Sequence, residues 1–349
     1  MILKYKSFCS LWLPELLLAA LLLPLLAGCS KGTQSTNPLR IGVALYSKED
    51  TFISSVARAV ERTALETEQE TREKINISLA DGRSNQTTQL NQIDHMLDRG
   101  CDVLCVNIVD RTAAAVIIDK AQEAQVPVIF FNRQPVAEDI QRWDQVFYVG
   151  ADGMESGLLQ GRIVLSAWLT RRDQVDRNGD GALQYVMLEG EPGHQDALLR
   201  SEYATKPLLD ARIHVDRLDS ATANWSRAQA SARTLQMLRE FGTEIEVIFA
   251  NNDDMALGAL DACQEMELEV LPIIVGVDGT KAALDAMEAG TMAGTVCNDS
   301  EGIAQAMVQL ARTLHSGGEP AQAVDLTDGH YVWLPYTQIT RRNLEEFRK

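Results

Sequence analysis

The chain has 349 residues, with 32 Lys and Arg against 49 Asp and Glu, a formal net charge of −17. That length is enough for two core-forming lobes. The acidic balance argues against nucleic acid as a partner and for a soluble, self-repelling surface.

The first segment is an address, not fold. Lys4 and Lys6 form a short basic start, and Leu16 to Leu26 is an apolar run too short, and too broken by Pro14, Glu15 and Pro24, to span a bilayer well. It ends Leu26-Ala27-Gly28-Cys29, and small residues before a cysteine resemble the bacterial lipoprotein cleavage box. Residues 1–28 are therefore expected as a signal peptide. Cys29 is the expected lipidation site, and 29–38 a polar tether, so that the mature protein meets the membrane only through its anchor. Of the other cysteines, Cys101 and Cys105 share one strand and stand about 13 Å apart at about 3.3 Å per residue. A disulfide needs about 7 Å or less between Cα atoms, so they are expected as free, buried thiols.

From Leu39 the pattern is regular. Strands are expected at LRIGVAL, INISLA, DVLCVNIVD and VPVIFFN, with helices near 52–71, 87–99 and 111–124 between them. The pattern pauses at about 134–145. It resumes with QYVMLE, RIHVDRL, EIEVIFA, PIIVGVD, AGTVCND and HYVWLPY, most of them separated by helical segments. Strands alternating with helices of this length mean βαβ units, and two such runs imply an α/β fold of two doubly wound parallel-sheet lobes.

Between the runs lies DRNGDGALQ, residues 176–184. Asp176, Asn178 and Asp180 alternate, Gly181 follows, Ala182 can offer a carbonyl and Gln184 a neutral oxygen, as in the front of an EF-hand calcium loop. Where that loop needs a bidentate Glu the chain has Met187, and a strand follows in place of a second helix, so a carboxylate from elsewhere must complete the shell.

Ligands bind beyond the carboxyl ends of strands in such sheets, and those ends are unusually polar here. They carry Glu49, Asp50 and Phe52, then Asn107, then His194 and Asp196, then Asn251, Asn252 and Asp253, then Asp278, then Asn298. Any one could be only a helix N-cap; as a set they supply planar amides and carboxylates that can take adjacent hydroxyls of a hexose. Phe52 and Trp225 could cover the sugar's C–H faces. Asp196 and Arg200, four residues apart, share a helix face.

The run D-x-N-x-D-G-x-x-Q, a strand, then GEPGHxD resembles the bacterial periplasmic galactose/glucose-binding protein family. The likeness extends through IGVALYSKEDTF, VNIVD, VPVIFFN, FYVGAD, ATANW, EVIFANND, VGVD and AGTVCND. It implies sugar ligands at Asp50, Phe52, Asn107, His194, Asp196, Arg200, Trp225, Asn252, Asp278 and Asn298. It implies a structural Ca2+ held by Asp176, Asn178, Asp180, the carbonyl of Ala182, Gln184 and Glu246, the last supplying the missing carboxylate. Arg133 stands where the family often has Lys, and the lipoprotein cleavage box departs from the soluble periplasmic form.

The resemblance thus implies a type I periplasmic binding protein fold and no catalytic residues. The chain is expected to capture D-galactose or D-glucose, to deliver it to an ABC permease complex, and to serve a chemoreceptor in chemotaxis as a second partner. The expected lobes are 39–132 with 299–333 and 133–298 with 334–349, with hinge crossings near Asn132–Pro135, Asn298–Glu301 and Trp333–Tyr336. A glycoside hydrolase is the competing class; it would need two opposed carboxylates, one with a raised pKa, and no nucleophile elbow or phosphate loop appears. A sugar-responsive transcription regulator would need a helix-turn-helix before the first strand, where this chain has the signal and tether.

Overall fold

A computed structural model describes residues 37–348. The signal segment and Cys29 lie outside these residues. Twelve strands form two six-stranded sheets. The first contains β1 (Leu39–Leu45), β2 (Ile75–Asp81), β3 (Val103–Val106), β4 (Val128–Phe131), β5 (Val146–Gly150) and β11 (Tyr331–Trp333), in the order β11-β5-β4-β3-β1-β2. The second contains β6 (Ala182–Glu189), β7 (His214–Thr222), β8 (Val247–Ala250), β9 (Ile273–Val275), β10 (Gly294–Cys297) and β12 (Thr337–Thr340), in the order β12-β10-β9-β8-β6-β7. All pairings are parallel except β10 with β12. In each sheet the strand order reverses beside the first strand, which opens a crevice at the carboxyl edge.

Side-chain alternation builds a core on each face of each sheet. In β3, Val103 and Cys105 pack with helices Thr51–Thr71 and Ser300–His315, while Leu104 and Val106 pack with helices Gln86–Asp98 and Ala114–Glu123 on the other face. The second sheet is covered in the same way, by helices Arg227–Phe241, Asp253–Glu265 and Lys281–Glu288 on one side and by helix Gly153–Thr170 on the other. Burying both faces is why these strands read as near-continuous apolar runs. Cys101 and Cys105 are free and buried; burial pushes the Cys101 thiol up to about 11.

The chain passes between sheets at 151–152, 298–299 and 334–336. The first passage corrects the crossing expected near Asn132–Pro135. After β4 the chain stays in the first lobe, and β5 pairs with both β4 and β11. The sequence reading passed over β5 and the helix Gly153–Thr170. Glycines obscured that helix, although one of them serves close packing: a Cβ on Gly161 would stand 2.2 Å from the carbonyl oxygen of Ala204. That approach lets the helix lie against Gln195–Tyr203, which carries Asp196 and Arg200.

Candidate functional site

The carboxyl ends of both sheets face one interlobe cavity, closed down to about 30 Å3 of free space. Eight of the ten expected sugar ligands line it: Asp50, Phe52, His194, Asp196, Arg200, Trp225, Asn252 and Asp278. Tyr46, Ile53, Asn132 and Arg133 line it as well and were not expected as ligands. The signal for Tyr46, Asn132 and Arg133 was available, since each follows directly on β1 or β4, where the strand-end rule already pointed.

Asp50 caps helix Thr51–Thr71, accepting from the Ile53 N–H at 2.8 Å, and its second oxygen accepts from the Tyr46 hydroxyl at 2.5 Å. Burial, with Asp50 beside it, holds the Tyr46 phenol protonated far above its ordinary range. Asn107 and Asn298 are buried but do not line the cavity. The Asn107 amide is engaged elsewhere, donating to the Phe131 carbonyl at 3.1 Å and to Asn132 Oδ1 at 3.2 Å, so it fixes the end of β4. Asn298 follows β10; its Oδ1 is buried without a partner.

In the second lobe, His194 opens helix Gln195–Tyr203, its Nδ1 accepting from the Asp196 N–H at 3.1 Å. Burial, reinforced by Arg133, Arg200 and Arg111, holds this imidazole well below its usual pKa. The ring is therefore neutral, and the hydrogen bond assigns its proton to Nε2, as a donor. Arg200 is fixed on every side: Nε donates to Ser156 at 3.1 Å, Nη1 to the Asn251 carbonyl at 2.7 Å, and Nη2 to Asp196 at 3.2 Å and to the Tyr336 hydroxyl at 2.9 Å. Burial raises the Asp196 carboxyl against the opposing pull of Arg200.

Trp225 follows β7 with a left-handed φ of 62° and stands edge-on to His194, ring centroids 5.0 Å apart. Asn252 caps helix Asp253–Glu265 through Oδ1, which accepts from the Met255 N–H, and its Nδ2 donates to the Trp225 carbonyl at 3.4 Å. Asp278 holds a φ of 124°, a conformation rarely stable without surrounding constraint. Burial raises its carboxyl well above the ordinary range, opposed by Arg200 and aided by Asp253, Asp50 and Asp254. Asp253 is itself fully buried, accepting from Thr295 at 2.5 Å and from Thr280 at 2.7 and 3.1 Å. The cavity thus offers fixed acceptors at Asp50 and Asp196, a buried carboxyl at Asp278, fixed donors at Arg200 and His194, and rings at Phe52 and Trp225. That set matches an uncharged polyol better than a reacting bond.

The expected metal residues lie together at the entry to β6. Among the described residues no three His, Cys, Asp or Glu side chains converge on a common point. Two oxygens at this spot are nonetheless buried without partners, Asp176 Oδ1 and Gln184 Oε1. Asp180 Oδ2 instead receives amide N–H groups from Asn178 at 2.9 Å and Gln184 at 2.7 Å. Glu246 joins the loop to β8, accepting from the backbone N–H of Arg177 at 2.7 Å and of Gln184 at 3.1 Å. Burial raises its carboxyl, and Asp176 adds to the rise. Asp176 Oδ2 is paired with Arg172 at 3.2 Å, so the two orphaned oxygens are the acceptors this spot leaves open.

Residues 41–319 match the family model described as periplasmic binding protein domain. The chain is 37% identical over 313 residues to the D-galactose/methyl-galactoside binding periplasmic protein MglB of Haemophilus influenzae, covering 89% of this chain and 92% of that one. An ABC transporter solute binding protein from Bacillus halodurans with bound myo-inositol superimposes with a TM-score of 0.72 at 27% identity, over 90% of this chain and 99% of that one. A periplasmic solute binding protein from Actinobacillus succinogenes with bound D-allose does so with a TM-score of 0.75 at 19% identity, over 88% and 99%, a likeness of fold. Two doubly wound lobes facing one cavity, joined to a match over most of the chain, settle the class: the protein is a solute-binding protein and not an enzyme, and it belongs to the periplasmic binding protein domain family.

Proposed function

We propose that this protein captures D-galactose or D-glucose in the interlobe cavity and delivers it to an ABC sugar importer from the outer face of the membrane, held there by lipid on Cys29. The observation that carries the reading is the convergence of eight residues, chosen from sequence alone, on one interlobe cavity. The 37% identity to a D-galactose/methyl-galactoside binding protein supports the hexose. Neutral His194 and the fixed Arg200 would donate to sugar oxygens. Asp50, Asp196 and Asp278 would accept from hydroxyls, and Phe52 and Trp225 would cover the ring. Closure of the lobes around the sugar would present a joint surface to the permease; the same closed face is what a chemoreceptor would read.

We further propose a structural Ca2+ held by Asp176, Asn178, Asp180, the Ala182 carbonyl, Gln184 and Glu246. The orphaned Asp176 Oδ1 and Gln184 Oε1 support it. A divalent ion would neutralise three carboxylates and tie the loop to β8 through Glu246.

Calorimetric titration of the protein against a hexose and pentose panel tests the sugar reading. Galactose or glucose should bind tightly and ribose weakly, because a shortened sugar leaves buried partners unpaired at about 1–3 kcal/mol each. Ribose binding as tight as hexose would overturn it.

A further inference from the structure

We propose that Arg133 and Glu191 form a latch between the lobes, one that ties closure of the cavity to the position of Asp50; the proposal rests on the sugar-binding reading of that cavity. Arg133 follows β4 in the first lobe and Glu191 follows β6 in the second, and their charged atoms are 2.8 Å apart. Among the described residues this is the only ion pair that joins the two lobes; every other pair lies within one of them. Two uncharged or singly charged contacts cross beside it: Gln195 Nε2 donates to Gln134 Oε1 at 3.1 Å, and the Thr51 hydroxyl to Asp254 at 2.6 Å.

The pair is placed to matter. The Arg133 side chain is 7% exposed and the Glu191 side chain 31%, so the arginine is taken out of water while the glutamate stays at the wet rim. Opening the lobes would separate them and hydrate both; closing exchanges that hydration for a charge-assisted contact. Arg133 is also wired inward. Its guanidinium carbon lies 3.5 Å from the Tyr46 ring centroid, and Nη1 donates to the Val109 carbonyl at 3.1 Å. The Tyr46 hydroxyl in turn donates to Asp50 at 2.5 Å. Glu191 in one lobe is thereby connected, through Arg133 and Tyr46, to a carboxylate that lines the cavity from the other lobe. A contact made only in the closed form shifts the open–closed balance by its whole differential energy, and the apparent sugar affinity moves with it.

The test compares the full chain with Glu191→Gln and Glu191→Asp, measuring D-galactose and D-glucose affinity and dissociation rate at low and high salt, with a melting curve of each free protein. Glu191→Gln keeps the shape and removes the charge. It should raise the hexose Kd roughly three- to tenfold, chiefly through faster dissociation, as expected when a charge pair at an interface loses one member at a half-wet site. Parent affinity should fall as salt rises, the fall should be smaller in the variant, and the melting temperature of the free protein should not change. Glu191→Asp should recover part of the loss. Arg133→Gln combined with Glu191→Gln should bind no more weakly than Arg133→Gln alone, because both remove one interaction. Equal Kd, dissociation rate and salt response in the parent and Glu191→Gln would overturn the latch while leaving the sugar site standing. A parent that binds none of the hexoses would remove the sugar reading and the latch with it.

Discussion

Gly190→Ala is a one-carbon test of whether Trp225 is a sugar platform. Gly190 ends the run out of β6, and its N–H donates to Asn251 Oδ1 at 3.0 Å. The Trp225 indole lies directly over it: an added Cβ would meet Cη2 and Cζ2 at 2.2 Å and Cε2 at 2.5 Å. Ordinary contact begins at 3.4 Å, so the ring must retreat by more than about 1 Å. The flexible end of a long side chain could give way easily, but an indole already set against His194 has little room to do so. Displacing the ring should forfeit much of an aromatic anchor, about 1.5–3 kcal/mol, which is roughly ten- to hundredfold in hexose Kd. Overpacking should also cost about 1–3 kcal/mol of stability, so a melting curve accompanies the titration to show that the variant is folded at the assay temperature. Affinity within threefold of the parent, with an unchanged tryptophan fluorescence response to sugar, would refute the platform role and leave Trp225 as a packing residue.

Trp225→Ala should weaken hexose binding by about 2–4 kcal/mol, read by calorimetry; unchanged affinity would contradict its role. Asp278→Asn should stabilise the free protein and weaken the sugar. Burial raises the Asp278 carboxyl, so its stabilising contribution is complete at acid pH and is lost as pH rises through the raised value. The variant's Tm should therefore exceed the parent's near neutrality, and the gain should vanish below the ordinary carboxylate range; a Tm difference independent of pH would contradict the assignment. Chelation should lower the Tm of a preparation shown to carry metal, and calcium should restore it better than magnesium, by about 2.7 kcal/mol at 100 times Kd. Glu246→Gln should blunt that effect and leave hexose affinity within a few-fold; superimposable melts with and without chelator would remove the site. Cys29→Ala should release the protein from membranes or stall its processing; equal solubility of the parent would point to ordinary export.

The sequence by itself determined the α/β class, two lobes and nearly all the strands, because each signal is local. LRIGVAL and VLCV are strands by their apolar, β-branched composition, and helices between them force parallel pairing. It also pointed to the strand ends, eight of whose residues the structure brings to one cavity, since strand ends are fixed once the strands are. The tertiary structure decided what local pattern does not encode. β5 joined the first sheet because β4 and β11 offered it pairing edges far away in sequence. Asn107 and Arg133 both follow strands of the first sheet, yet the Asn107 amide is taken by Phe131 and Asn132 while Arg133 lies over Tyr46 and reaches Glu191 in the other lobe. A strand's end is set by its own residues, but the direction of a side chain at that end is set by which distant groups can satisfy it, and those groups come together only when the lobes fold and meet.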